Sequence, residues 1–277
     1  MGIMDDIKKE AKGNRTVIQS SESAKLQKIL NRMFYLDKDP ENEPEFVRQV
    51  MTRGLGTQER SGLHASALIV PDNSFCLREM VLSLVYKQKQ GEQLDVGLMR
   101  IFEEGNAVHE KWQRLFIRAG YSGVNDLDVT QFKKKYRVSF TPDIICEIPE
   151  FYDGKMIGEI KSANMFTFDK TIMPKRHPSA WKQLQWYMYL SGIHKGFVLS
   201  DNKNNQEFKI EVYDFDKEVV NPFIDRCEEI KAAYIKLKKQ NKMVKRPSGV
   251  AYKTPDSKRC KKCALRDICW FKKGEKL

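Results

Sequence analysis

The chain has 277 residues, 41% of them hydrophobic and 31% charged, with a formal net charge of +12. That length can bury a sizeable core as one main domain with appendages, and no run approaches the roughly 18 apolar residues that span a bilayer, which excludes an integral helical membrane protein. The opening MGIMDDIKKEAKGN lacks an apolar signal core, and Asp6 stands where a myristoylation signal has Ser or Thr. A cytoplasmic location is therefore expected, and the lysine- and asparagine-rich composition points to an AT-rich genome such as a viral one. Disulfides are then not the expected use of the six cysteines.

The charge is concentrated. From Lys231 to Leu277 there are 16 Lys and Arg against 3 Asp and Glu, leaving 33 basic and 34 acidic residues for everything before. A basic carboxyl-terminal sixth on an otherwise balanced chain suits a surface that grips a polyanion through counterion release; a solvated lysine-rich helix and tail is the plainer reading of the same residues.

In chain order, residues 22–36 place Leu26, Ile29, Leu30, Met33 and Phe34 on one helical stripe, with Ser21 or Ser23 as the cap. A second short helix is expected over 44–53. Asp72, Asn73 and Ser74 are candidate caps for a helix over 75–86, which puts Cys76 in a first turn where backbone N–H groups and Arg78 lower a thiol pKa. The segment 97–119 carries the clearest amphipathic helix. Gly105, His109, Trp112 and Phe116 share its inward stripe, so His109 points where the aromatics point.

Residues 134–163 read as two strands, the first carrying Asp143 behind Pro142, the second carrying Glu159 and Lys161, with a turn at Asp153-Gly154. Residues two apart on a strand share a face, so Glu159 stands beside Lys161, and pairing of the strands brings Asp143 opposite them. Two carboxylates so placed make a hard oxygen site for Mg²⁺ or Mn²⁺. A helix over 180–191 then puts Gln183 and Tyr187 on one face. Strands over 195–200 and 208–215 and a long helix from about 217 to 244 complete an α/β pattern with a small central mixed sheet flanked by helices.

Taken in order, Gly105-Asn106-Ala107-Val108-His109, then Pro142-Asp143, then Glu159-Ile160-Lys161, then Gln183-Leu184-Gln185-Trp186-Tyr187 resemble the four motifs of the RecB branch of the PD-(D/E)XK nucleases. Near the carboxyl terminus Cys260, Cys263 and Cys269 form a C-x2-C-x5-C cluster. Together with Cys76 they are similar to the cysteines of the iron-sulfur nucleases of the AddB type and the CRISPR-associated Cas-four type. Thiolates suit zinc or an iron-sulfur cluster; the resemblance implies a 4Fe-4S cluster, with Zn²⁺ as the alternative. The family often has Pro after the early cysteine, where this chain has Leu77.

The resemblance implies a restriction-endonuclease-like core, placed over 64–245, followed by a cysteine-rich tail over 246–277 that closes on Cys76; residues 1–63 are read from their own pattern as a helical extension with no counterpart in the family. It implies that His109, Asp143, Glu159 and the Ile160 carbonyl hold Mg²⁺ or Mn²⁺. Lys161 then orients water or offsets phosphate charge, and Gln183 and Tyr187 position the strand. The implied activity is that of a DNA exonuclease on single strands or ends, in repair, recombination, phage replication or CRISPR adaptation, with protein partners from those settings and oligomers among the expectations. A structure-specific endonuclease and an inactive iron-sulfur DNA-binding subunit are the alternatives.

Overall fold

In the computed structural model, residues 20–34, 63–86, 96–165, 168, 178–247 and 252–270 are described; the helix expected over 44–53 lies outside them. The helices are α1 (Ser21–Met33), α2 (Leu77–Ser83), α3 (Val96–Arg118), α4 (Pro178–Ser191), α5 (Lys217–Gln240) and the short α6 (Arg266–Trp270). The strands are β1 (Leu63–His64), β2 (Gln131–Lys133), β3 (Val138–Phe140), β4 (Ile144–Ile148), β5 (Tyr152–Ala163), β6 (Lys195–Asn202) and β7 (Phe208–Asp214). The main sheet runs β4-β5-β6-β7, and a smaller one, not anticipated from sequence, runs β1-β3-β2.

The main sheet is mixed: β5 pairs antiparallel with β4 and parallel with β6, and β6 pairs antiparallel with β7. A parallel neighbour requires a crossover, and α4 supplies it between β5 and β6. Both faces of the sheet are covered, so β5 is buried continuously from Met156 to Ile160 and β6 along its whole length, the pattern of strands packed on two sides. On one face Ile160, Phe197 and Leu199 meet Leu26 and Leu30 of α1 and Trp112 and Phe116 of α3. On the other, Ile157 and Val198 meet Leu184 and Met188 of α4, with α2, α5 and the small sheet behind them.

Two glycines permit this packing. Gly158 lies beside Phe197 in register, and a Cβ on it would come within 2.5 Å of that ring. A Cβ on Gly196 would meet the Ile157 carbonyl at 2.7 Å and Leu184 at 2.9 Å, so α4 can lie close against the sheet only because no side chain stands there. Helix α1 is sewn to edge strand β7: Ser23 accepts from the Val212 N–H at 3.0 Å, and Gln27 donates to the Phe208 carbonyl at 2.9 Å. Leu26 and Leu30 have no solvent exposure, so residues 20–34 are part of the core packing.

Four local expectations are corrected. The cap of α1 is Ser20, whose hydroxyl accepts from the Ser23 N–H. Asp72–Ser74 form a 3-10 turn, and Cys76 is the N-cap of α2 instead of a first-turn residue. The hairpin turn falls at residues 149–151, so Asp153 and Gly154 lie inside β5; Gly154, at φ 135°, sits where the register shifts at Glu147/Ile148, a backbone conformation that glycine adopts without steric cost. Helix α5 stops at Gln240, short of residue 244, because Asn241 adopts a left-handed conformation at φ 50°.

Candidate metal centre and cysteine pocket

Strand β4 stops pairing at Ile144↔Gly158, while β5 continues to Ala163 against β6 alone. The backbone of β5 beyond Gly158 is therefore open on the β4 side. Asp143, in the bend just before β4, fills that opening: its Oδ2 accepts from the Ile160 N–H at 2.7 Å. Its Oδ1 lies 3.5 Å from Nδ1 of His109, and the Ile160 backbone is also within hydrogen-bonding reach of the imidazole. His109 arrives on α3, held in place by the fully buried Trp112 and Phe116 one and two turns further on.

Glu159 projects from the opposite face to Ile160, pairs through Oε1 with Lys161, and is completely buried. Its Oε2 has no hydrogen-bond partner. An orphaned buried carboxylate oxygen is costly unless something cationic meets it. Gln183 donates to the Tyr187 hydroxyl at 3.0 Å, and the charges of Glu159 and Asp143 act on that phenol, so the α4 pair faces the same centre. His109, Asp143, the Ile160 backbone, Glu159 and Lys161 thus meet near one end of β5, with Tyr187, bonded to Gln183, within reach of the two carboxylates' charge.

The electrostatics follow from burial. Burial, then repulsion from Asp143, pushes the Glu159 carboxyl up to about 7; burial does the same for Asp143, to about 7, against the pull of Lys161. Burial lowers the His109 pKa, favouring the neutral imidazole that binds metal. Burial also opposes charge on Lys161, but the two carboxylates outweigh it and its pKa ends raised. A neutral imidazole, two carboxylates short of compensation and a backbone carbonyl form a donor set suited to a hard divalent cation.

Two residues here were missed by sequence reasoning. Gln113, 1% exposed, donates from Nε2 to the Asp143 carbonyl at 2.8 Å, tying the helix that carries His109 to the bend that carries Asp143. Its signal was a polar residue four positions after His109 on the inward side of α3. Asp128 has a carboxylate oxygen that lies within 4.8 Å of ligand atoms of both His109 and Asp143; it belongs to no recognisable motif, and only the tertiary contact reveals it.

The cysteines form a second cluster. Cys76, Cys260, Cys263 and Cys269 line one small cavity of about 30 Å³, together with Glu79, Tyr252 and Trp270. Arg78 donates from Nε to the Cys269 sulfur at 3.1 Å, and Arg259 pairs with Glu79 at 3.1 Å. Cys146 and Cys227 are buried in the core, as expected. The lowered thiol pKa expected at Cys76 is not found: burial raises it, and burial pushes Cys263 up to about 12. At Cys76 the start of α2 lends too little N–H polarity to offset desolvation.

No family model matches the chain, and no curated protein matches it significantly. Among solved structures, it is similar to LHK-Exo in complex with dAMP, at 16% identity and a TM-score of 0.47 over 65% of this chain and 93% of that one. The alkaline exonuclease LHK-Exo from Laribacter hongkongensis gives 16% and 0.45 over 66% and 94%. A phage related exonuclease from Haemophilus somnus 129PT gives 12% and 0.43 over 65% and 96%. Alignments at this level assign no activity to the present chain. Among the described residues no helix is long and apolar enough to cross a membrane.

Proposed function

We propose that the protein is a metal-dependent DNA exonuclease of the PD-(D/E)XK type, RecB branch, acting on single strands or DNA ends. The observation that carries this reading is the buried Glu159, one oxygen on Lys161 and the other without a partner, beside Asp143 and His109. A structural ion pair would leave neither the orphan oxygen nor the imidazole at its side. His109, Asp143, Glu159 and the Ile160 carbonyl would between them hold one or two Mg²⁺ or Mn²⁺ ions, which when bound would neutralise phosphate charge and lower the pKa of a coordinated water.

The remaining roles belong to the chain's own groups. Lys161, one-third exposed, has three N–H donors to offer a scissile phosphate oxygen or the attacking water. Gln183 and Tyr187 fix the far wall of the cleft, and Gln113 keeps Asp143 and His109 in mutual register. The exposed lysines of α5, Lys231, Lys236, Lys238 and Lys239, suit the DNA backbone. The four-cysteine cavity is proposed to take a 4Fe-4S cluster, as in the AddB and Cas-four types.

End-labelled linear and circular single-stranded DNA incubated with Mn²⁺ tests the activity. Degradation of the linear strand alone is expected, with Glu159→Ala and Lys161→Ala each losing at least about 100-fold in rate while DNA binding persists. Cutting of the circle would make it an endonuclease, and unchanged turnover in either variant would remove the proposed centre.

A further inference from the structure

Asp128 lies outside the four motifs, yet it is built into the centre. Leu127 before it is fully buried among the α3 aromatics, and Asp128 itself takes a left-handed backbone conformation at φ 48°, which Asp tolerates better than most residues. Two residues on, Thr130 is hydrogen-bonded to Thr141 at 2.9 Å, fastening this loop to the segment that leads into Asp143. One ligand atom from each of His109, Asp128 and Asp143 lies within 4.8 Å of the others, the sole such group of three among the described residues.

Glu159 is not a member of that group. Two ligands of one Mg²⁺ ion, with bonds of about 2.1 Å, lie at most about 4.2 Å apart, so Glu159 and the triad as arranged do not all bind one ion. The buried Oε2 of Glu159, which has no hydrogen-bond partner although Oε1 pairs with Lys161, shows independently that the centre has demand for positive charge beyond that ammonium. We propose that Asp128 is a cation ligand, forming with His109 and Asp143 a divalent-cation position that does not require Glu159. Asp143 is shared between that position and the one completed by Glu159 and the Ile160 carbonyl. This rests on the metal-dependent reading above, but its test does not depend on cleavage.

Mn²⁺ titrations of the full-length protein without DNA, followed by electron paramagnetic resonance, compare wild type with Glu159→Gln, Asp128→Asn and the double variant. Asn and Gly both accept a left-handed backbone, so Asp128→Gly serves as a second variant that removes the side chain without backbone strain. The expected result is that Glu159→Gln retains a Mn²⁺ site, which weakens at least about 10-fold when Asp128→Asn or Asp128→Gly is added. Equal Mn²⁺ affinity with and without Asp128 in that background, or loss of all Mn²⁺ binding in Glu159→Gln alone, overturns the proposal. Intact Mn²⁺ binding without DNA cleavage would instead count against the nuclease reading and leave the site standing.

Discussion

Replacing Glu159 by Gln should stabilise the metal-free protein at alkaline pH while destroying its activity. The folded-state pKa of Glu159, about 7, lies above its ordinary value of 4.5, so the folded chain holds the carboxyl proton more tightly than the unfolded chain does. That contribution to stability is fully present below about pH 4.5 and is lost as the pH rises through 7. Above 7 the ionised, fully buried group costs about 3 kcal/mol relative to its neutral form. Gln is neutral throughout and escapes that cost. The lost contact with Lys161 returns at most about 1 kcal/mol, because that ammonium is partly exposed and solvates.

In chelator at pH 8, Glu159→Gln should therefore melt higher than wild type by about 2 kcal/mol, or roughly 4 °C at about 2 °C per kcal/mol for a chain of this size. At pH 5 the carboxyl is mostly protonated in the folded wild type, and the gap should fall below about 1 kcal/mol. Adding Mn²⁺ at pH 8 should narrow the gap, since Glu159 supplies a ligand that the variant lacks, whereas the cation position that does not require Glu159 stabilises both proteins. Thermal melts by circular dichroism at the two pH values, with and without Mn²⁺, provide the comparison. A variant that melts no higher than wild type in chelator at pH 8, or by a margin independent of pH, would refute the buried-charge argument.

Two further outcomes can be checked with simple variants. Gln113→Ala orphans the buried Asp143 carbonyl and should cost about 1–3 kcal/mol in denaturant melts, with cleavage falling at least about 10-fold at saturating Mn²⁺ because Asp143 and His109 lose their common tie. Protein purified without oxygen should be brown with absorbance near about 400 nm, and Cys263→Ser should lose the colour and bound iron while DNA-independent Mn²⁺ binding persists. Stoichiometric zinc in colourless wild-type protein would count against iron.

Much of the centre was legible because period and spacing determine facing. The i, i+2 relation of Glu159 and Lys161, the i, i+4 relation of Gln183 and Tyr187, and the stripe of His109 with Trp112 and Phe116 each survive folding, because strand and helix geometry is local. Turn position was less legible: Asp153-Gly154 has strong turn chemistry, yet pairing of Ile148 with Tyr152 outweighs it and Gly154 is used inside a strand. The Cys76 pKa was misjudged because helix-end polarity can be read from sequence, whereas the depth of burial that opposes it cannot.

By itself the chain determined its amphipathic faces, the alternation that yields a helix-covered sheet, and the set of side chains able to serve as hard ligands. The tertiary structure alone decided that β4 ends one residue short of Glu159, leaving the Ile160 N–H for Asp143 to occupy. It alone brought Asp128 beside His109 and Gln113 to the Asp143 carbonyl, and gathered Cys76 with cysteines some 180 residues later. These contacts join segments distant in sequence, and their formation depends on how the cores pack on both faces of β5, which no local period encodes.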